Sequence, residues 1–244
     1  MTPSLVSRAV RKLTYPIPLA RTPLSLERGA VSFTFDDFPL SAWENAAPIL
    51  HEAGFRGTYF VAGCFAGRTI DGLRYFERET LRAVAEAGHE IGCHTYDHAN
   101  AFEEGTTNYV ASVDRNMRFL RDSLPDYEER AFAYPFGSAS LGARRALIRR
   151  FATLRGIQPR QAAGTVDRTL LPSYSLDMRT AHKRDWPAII ERAAAERAWI
   201  TVFTHDVSDD PTEFGCTTGM WRDVVQLARE HGLDGRTVSE VMPR

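Results

Sequence analysis

The 244-residue sequence predicts one α/β domain built on a parallel sheet or barrel. Three observations carry that expectation. Strand-like apolar runs and amphipathic helical stretches take turns along nearly the whole chain. No Pro-, Gly- or Ser-rich linker divides it. Its length and its ordinary composition, 43% hydrophobic and 25% charged, suit a soluble domain of barrel size.

The elements follow in order. "AVSFTF" (30–35) is a β-branched and aromatic strand, and "SAWENAAPILHEAG" (41–54) a helix that Gly54 terminates. "GTYFVAG" (57–63) reads as a buried strand, and "FERETLRAVAEAG" (76–88) as an amphipathic helix ending at Gly88. "HEIGCH" (89–94) is a short strand, followed by helical spacing in "NYVASVDRNMRFLRDSL" (108–124) up to Pro125. "RAFAYPFG" (130–137) is extended and "SLGARRALIRRF" (140–151) helical. "SYSLDM" (173–178) is a strand, and "WPAIIERAAAERA" (186–198) a helix starting near Pro187. "AWITVFTHD" (198–206) is the last strand and "TTGMWRDVVQLAREHG" (217–232) the last long helix.

Net charge is −1, so nothing global points to nucleic acid. Residues 1–28 differ: Arg8, Arg11, Lys12, Arg21 and Arg28 stand against Glu27 alone. The expected organisation is this basic segment followed by a domain over residues 29–244. Basic residues interrupt its apolar stretch and no small-residue cleavage site follows, so it does not read as a signal peptide. It reads first as a solvated leader wrapping the domain, and second as a peripheral contact with anionic lipid at the inner membrane face. Cys64, Cys93 and Cys216 are odd in number and lack C-x-x-C pairing, which suits reduced, mostly buried thiols. A cytoplasmic protein is expected. No feature marks an oligomer interface.

In a parallel barrel the functional groups gather at the C-terminal ends of the strands. The unusual residues fall there. Asp36 and Asp37 end the first strand, and His94 and His98 follow the third. "YPFG" (134–137) follows the "AFA" strand, Asp177 ends "SYSLD", and His205 ends "WITVFTH". Two adjacent carboxylates repel each other and sit badly at the end of an apolar strand. Histidines four apart present their imidazoles to one side and can share a metal. With one carboxylate they leave a coordination position open, as catalytic zinc sites do. A divalent ion would take one aspartate as ligand while its neighbour accepts a proton from water. Singly, each feature is weak. Adjacent aspartates are mostly turns or helix caps, and H-x-x-x-H is mostly incidental. His51, His89, His182 and His231 have no matching partner and read as structural or solvated. The conjunction, in barrel order, carries the functional reading.

In order and spacing, "TFDD", "HEIGCHTYDH", "FAYPFG" and "VFTHD" resemble the motifs of the polysaccharide deacetylases, the NodB-homology domain of carbohydrate esterase family 4. They run from Phe33 to Asp206 and are jointly highly specific. The resemblance implies a distorted (β/α) barrel with fewer than eight parallel strands, and metal-dependent removal of acetyl groups from N-acetylated glycans. It implies Asp37, His94 and His98 as metal ligands, Asp36 as general base and His205 as general acid. The backbone N–H near Phe136, in the motif that also holds Tyr134, would serve the oxyanion and substrate. Asp177 resembles the start of the fourth motif and would favour the protonated form of His205, with Trp186 as an apolar wall. Zinc is the expected ion, and a His-His-Asp site also accepts cobalt, nickel or manganese.

The sequence departs from the family at Ala133, where many members have an arginine that pairs with the catalytic aspartate. Arg130 is the nearest substitute. The "YPFG" variant looks more like deacetylases of bacterial exopolysaccharide and poly-N-acetylglucosamine than of chitin or peptidoglycan. With no export signal read, the expected substrate is an exopolysaccharide precursor of the holdfast or capsule type. A small non-sugar amide is the alternative substrate; an open mouth with exposed aromatics, from among Tyr96, Phe102, Phe136, Phe214 and Trp221, would favour sugar. An inactive glycan-binding module is the alternative class, and its sign would be loss of a ligand, acid or base.

Overall fold

The computed structural model describes residues 11–128 and 130–242. Arg8 and the rest of residues 1–10, part of the expected basic segment, lie outside them. Twelve strands occur in chain order among the described residues. They are β1 (Arg21–Leu24), β2 (Ala30–Asp36), β3 (Gly57–Val61), β4 (Thr69–Ile70), β5 (Leu73–Arg74) and β6 (Glu90–Cys93). β7 (Ala131–Ala133), β8 (Thr153–Arg155), β9 (Gly164–Asp167), β10 (Tyr174–Ser175), β11 (Trp199–Thr204) and β12 (Asp234–Gly235) complete the set. Seven of them form a curled parallel sheet in the order β10-β11-β2-β3-β6-β7-β8, with β12 added against β2. The chain between the two edges nearly closes it: Leu171 bridges Arg155 of β8, and Tyr174 pairs with Val202 of β11. This is the distorted barrel with fewer than eight strands that the motifs implied.

The helices are α1 (Ala47–Glu52), α2 (Arg78–Glu86), α3 (Thr106–Ser123), α4 (Leu141–Leu147), α5 (Trp186–Ala195), α6 (Thr218–Glu230) and α7 (Val238–Val241). The predicted continuous helix over 41–54 instead opens with a π-helical turn, Ala42–Ala46. Pro48 accounts for this: it has no N–H to close an ordinary turn back to Glu44. Short strands β1, β4, β5, β8, β9 and β12 gave no periodic signal in the sequence.

Strand alternation divides the core in two. Val31, Phe33 and Phe35 face outward, where Phe33 and Phe35 pack on Trp221 of α6 at 5.1 and 5.0 Å between ring centroids. Ala30, Phe60, Ala131, Ala133 and Trp199 form the separate cluster inside the barrel. The inward face of β2 runs Ala30, Ser32, Thr34, Asp36, and Trp199 Nε1–H donates to Ser32 Oγ there at 2.9 Å. Gly92 is small for a reason: a Cβ at that position would lie 2.5 Å from the Phe60 ring. The same inward parity, carried to the strand ends, delivers Asp36, His94, Arg155 and His205 to one mouth.

Candidate active site

Alternation alone would send Asp36 and Asp37 to opposite faces. The backbone prevents this by turning left-handed at Asp37 (φ 63°) and Phe38 (φ 59°). Five of the seven non-glycine residues with positive φ among the described residues lie in the motif loops: Asp37, Phe38, Thr95, His98 and Phe136. Such conformations cost on the order of 1–3 kcal/mol each and persist where the surroundings over-determine them. Phe38 is held between the Tyr59 and Phe76 rings at 4.6 and 5.3 Å.

The loop after β6 is fixed on both sides. Ser112 of α3 accepts from the Tyr96 and Asp97 N–H groups at 3.1 Å and donates to Asp97 at 2.7 Å. His94 Nδ1 lies 2.8 Å from the Ala133 carbonyl. A carbonyl only accepts, so Nδ1 carries the hydrogen and Nε2 turns its lone pair toward the mouth. His94 Nε2 stands 3.4 Å and His98 Nε2 3.1 Å from Asp37 Oδ1. The His98 ring packs against Phe136 at 4.4 Å.

Asp36 is held by an arginine that sequence reasoning missed. Arg155, fully buried at the end of β8, places one Nη2 at 2.5 and 2.6 Å from the two Asp36 oxygens. Its guanidinium lies 5.1 Å from the Phe60 ring and 4.9 Å from the Phe203 ring. Arg155 pairs in register with Ala133, the position where the family's arginine was expected. The guanidinium therefore arrives from the adjacent strand. Arg130 does not substitute: it is exposed and pairs with Glu128. His205 follows the inward face of β11 and brings Nε2 to 3.9 Å from Asp37 Oδ2, while Nδ1 donates to the Phe214 carbonyl at 3.2 Å. That carbonyl is positioned by Asp206, which accepts from Thr212 N–H at 2.8 Å and Thr212 Oγ1 at 2.6 Å across the loop's base.

Other expected site residues have other partners. Asp177 spends its carboxylate on Thr180, at 2.9 Å to both N–H and Oγ1, and on Arg179 at 3.2 Å, rather than on His205. The Tyr134 side chain is buried, with its hydroxyl donating to the Thr169 carbonyl, because β7 alternation turns it outward. Trp186 is the first residue of α5, capped by Asp185, and packs edge-on against Tyr174, as core. Trp221 is core as well. Phe136 and Phe214 remain exposed at the mouth, 48% and 41%, the first against His98 and the second 5.7 Å from His205. His51 and His89, read as unpartnered, are paired at 2.7 Å at the opposite end of the strands.

Electrostatics follow the geometry. Burial pushes the Asp37 carboxyl up to about 7, with Asp36 adding to the rise against His205 and Arg155. Burial also lowers His94 to about 3 and His98 to about 4, which keeps both neutral. Burial raises Asp36 too, but Arg155, His94 and His205 overcome it and hold the carboxyl below its ordinary value. Asp37 Oδ1 is buried without a hydrogen-bond partner. The donor atoms of Asp37, His94 and His98 all lie within 4.8 Å of one another. Three convergent lone-pair donors, one of them orphaned, fit a divalent cation.

Residues 25–150 match the family model described as polysaccharide deacetylase. A chitin deacetylase from Arthroderma benhamiae is 26% identical over 87 residues, 36% of this chain and 22% of that one. The match thus spans about a fifth of that curated relative's length. A candidate polysaccharide deacetylase from Mycobacterium smegmatis superposes with a TM-score of 0.68 at 17% identity, covering 92% of this chain and 93% of that one. IcaB from Ammonifex degensii gives 0.52 at 22%, covering 60% and 67%. Likeness at such identities fixes the fold alone. A CE4 family pseudoenzyme from Bacillus anthracis shares it too, at a TM-score of 0.57, so activity must be argued from side chains.

Proposed function

The chain belongs to the polysaccharide deacetylase family, and on that premise we propose that it hydrolyses the acetamido group of N-acetylglucosamine units in a bacterial exopolysaccharide or its lipid-linked precursor. One observation carries the activity: the Arg155-held Asp36 and His205 flank the Asp37, His94 and His98 donor set. A divalent cation on those three residues, zinc being the first expectation, would supply Lewis-acid polarisation of the acetyl carbonyl and a more acidic water. Asp36, kept ionised by Arg155, accepts the proton of the attacking water. His205 presents Nε2 to the mouth and delivers a proton to the departing amine, which is otherwise a very poor leaving group. The Phe136 amide, on a left-handed turn beside His98, donates to the developing oxyanion.

The substrate class rests on the mouth. Phe136 and Phe214 stand exposed on either side of the donor set, as rings that stack on sugars do. A small amide would call for a closed pocket. The "YPFG" variant favours exopolysaccharide, and the exposed Leu13 and Ile17 beside Arg11 and Lys12 suit a glycan met at a membrane surface. Among the described residues, no helix is long and apolar enough to cross a membrane.

The test is acetate release from N-acetylglucosamine oligomers by zinc-loaded protein, beside Asp36→Asn and His205→Ala. Acetate from the wild type and a loss of about a hundredfold or more in each variant is expected. Zinc bound without acetate release would sink the sugar reading in favour of another amide. Oligomers bound with neither zinc nor acetate would leave a binding module.

A further inference from the structure

The segment ahead of the barrel is tied to the turn that carries Phe136. The Tyr15 hydroxyl donates to the Gly137 carbonyl and accepts from the Ala139 N–H at 3.1 Å. Arg11 Nη2 donates to Ser138 Oγ and, at 3.4 Å, to the Phe136 carbonyl. Each of the residues 136–139 therefore makes a bond with this segment, the first three as acceptors and Ala139 as donor. The segment is itself anchored from below. Arg144, fully buried on α4, donates to the Thr14 carbonyl at 2.9 Å, the Ile17 carbonyl at 2.6 Å and Asp167 at 2.8 Å. Asp167 accepts in turn from the Ala20 N–H at 3.1 Å, and β1 pairs with β9 just beyond.

We propose that residues 11–20 form a strap that sets the catalytic turn, with Tyr15 as the positioning residue and Arg144 as its anchor. Phe136 (φ 56°) and Gly137 (φ 59°) are consecutive left-handed residues. A phenylalanine does not hold that conformation unaided, and the neighbouring bonds must over-determine it. The turn has little freedom elsewhere: a Cβ on Gly137 would lie 2.4 Å from Ile157. Relaxing it would move the Phe136 ring off His98 and its amide away from the oxyanion. Burial raises the Tyr15 hydroxyl pKa against Ala139, Arg11 and Arg144, so the donor keeps its proton at working pH. Tyr15 touches no reacting atom; it acts through Gly137 and Ala139.

The kinetic part of this inference rests on the deacetylase reading, but the positional part does not. Tyr15→Phe keeps the ring and removes both bonds. Amide hydrogen exchange over residues 136–139 should accelerate, and zinc stoichiometry should not change. On N-acetylglucosamine oligomers kcat should fall about tenfold while KM stays within about twofold. Wild-type exchange rates in Tyr15→Phe would overturn the strap whatever the activity. Faster exchange with unchanged kcat would overturn its catalytic role. A wild type that releases no acetate would sink the deacetylase reading while the exchange result still decided the strap. Should Tyr15→Phe not fold, Arg11→Gln reads the same amides under the same expectations.

Discussion

The two ends of the barrel both bury ionisable side chains, and they treat them differently. At the N-terminal end Glu90 accepts from Thr58 Oγ1 at 2.9 Å, from Ser239 N–H at 3.2 Å and from Ser239 Oγ. His89 Nδ1 accepts from the Gly57 N–H at 2.8 Å, which leaves Nε2–H to donate to His51. His51, Thr58, His89, Glu90 and Ser239 all keep ordinary backbone angles. At the mouth Asp37 Oδ1 is orphaned, its neighbours are imidazoles made neutral by burial, and the backbone is left-handed at five non-glycine positions. Burial and titratable chemistry are common to both ends. The orphaned carboxylate oxygen and five of the seven left-handed non-glycine residues among the described residues belong to the mouth, and they mark the end built for a ligand.

The largest effect that sharpens this contrast is Asp37→Asn. It removes the orphaned anion, so bound zinc should fall from about one equivalent to nearly none and acetate release by about a thousandfold. Metal-free stability should hold or rise, because burial already disfavours that carboxylate. Ser239→Ala at the other end should do the reverse. It should lower stability by about 1–3 kcal/mol by leaving Glu90 short of donors, with activity intact. Metal analysis and urea unfolding of the two variants decide the matter. Equal destabilisation of both metal-free proteins would erase the distinction.

Arg155→Ala comes next. It leaves Asp36 buried and uncompensated, at about 3–5 kcal/mol in urea unfolding. The Asp36 pKa is now held below its ordinary value of 3.8, so the pair's stability is present above that pH and fades as pH falls through the lowered value. Without Arg155, burial wins and the Asp36 pKa rises. The acid limb of the kcat/KM profile should then move to higher pH. Because Ala133 lies in register beside Arg155, Ala133→Arg in the Arg155→Ala background should move that limb back. Failure of the double variant to recover any activity would mean that β7 offers no equivalent route to Asp36.

Much of this was legible in the sequence, and the misses have physical causes. The parallel barrel could be read because β2, β3 and β11 are apolar runs buried along their whole length. The convergence of Asp36, Asp37, His94, His98 and His205 could be read because they fall at the C-terminal ends of β2, the short β6 and β11. Arg155 could not, since β8 is only three residues long and sits among Arg144, Arg145, Arg149, Arg150 and Arg160. Strand parity was the usable signal: Thr153 and Arg155 share the inward face with Ala133, and of those three only Arg155 carries the positive charge that offsets a buried carboxylate. The turn that binds the Asp177 carboxylate through Thr180 was not legible either, because a motif names a carboxylate without its local donors. The His51–His89 pair was hidden by its 38-residue separation, which no local pattern reports.

That pair yields the smallest expected effect and tests the closed end alone. Burial, then His51 and Arg56, lowers His89 from 6.5 to about 4. Between those values the unfolded chain binds a proton that the folded chain refuses, so stability is full above 6.5 and declines as pH drops toward 4. His89→Asn removes this titration, and its side-chain oxygen can still accept the Gly57 N–H. The fall in Tm from neutral pH to pH 4 should therefore be shallower in the variant, by about 2–4 °C. Deacetylation at neutral pH should stay at the wild-type rate, since His89 lies at the far end of its strand from His94. An unchanged Tm slope would place the acid sensitivity at the mouth instead, in His94 and His98, which burial also holds neutral. Zinc would then suppress the sensitivity by occupying their lone pairs, which it cannot do for a pair whose nitrogens are already bonded to Gly57 and to each other.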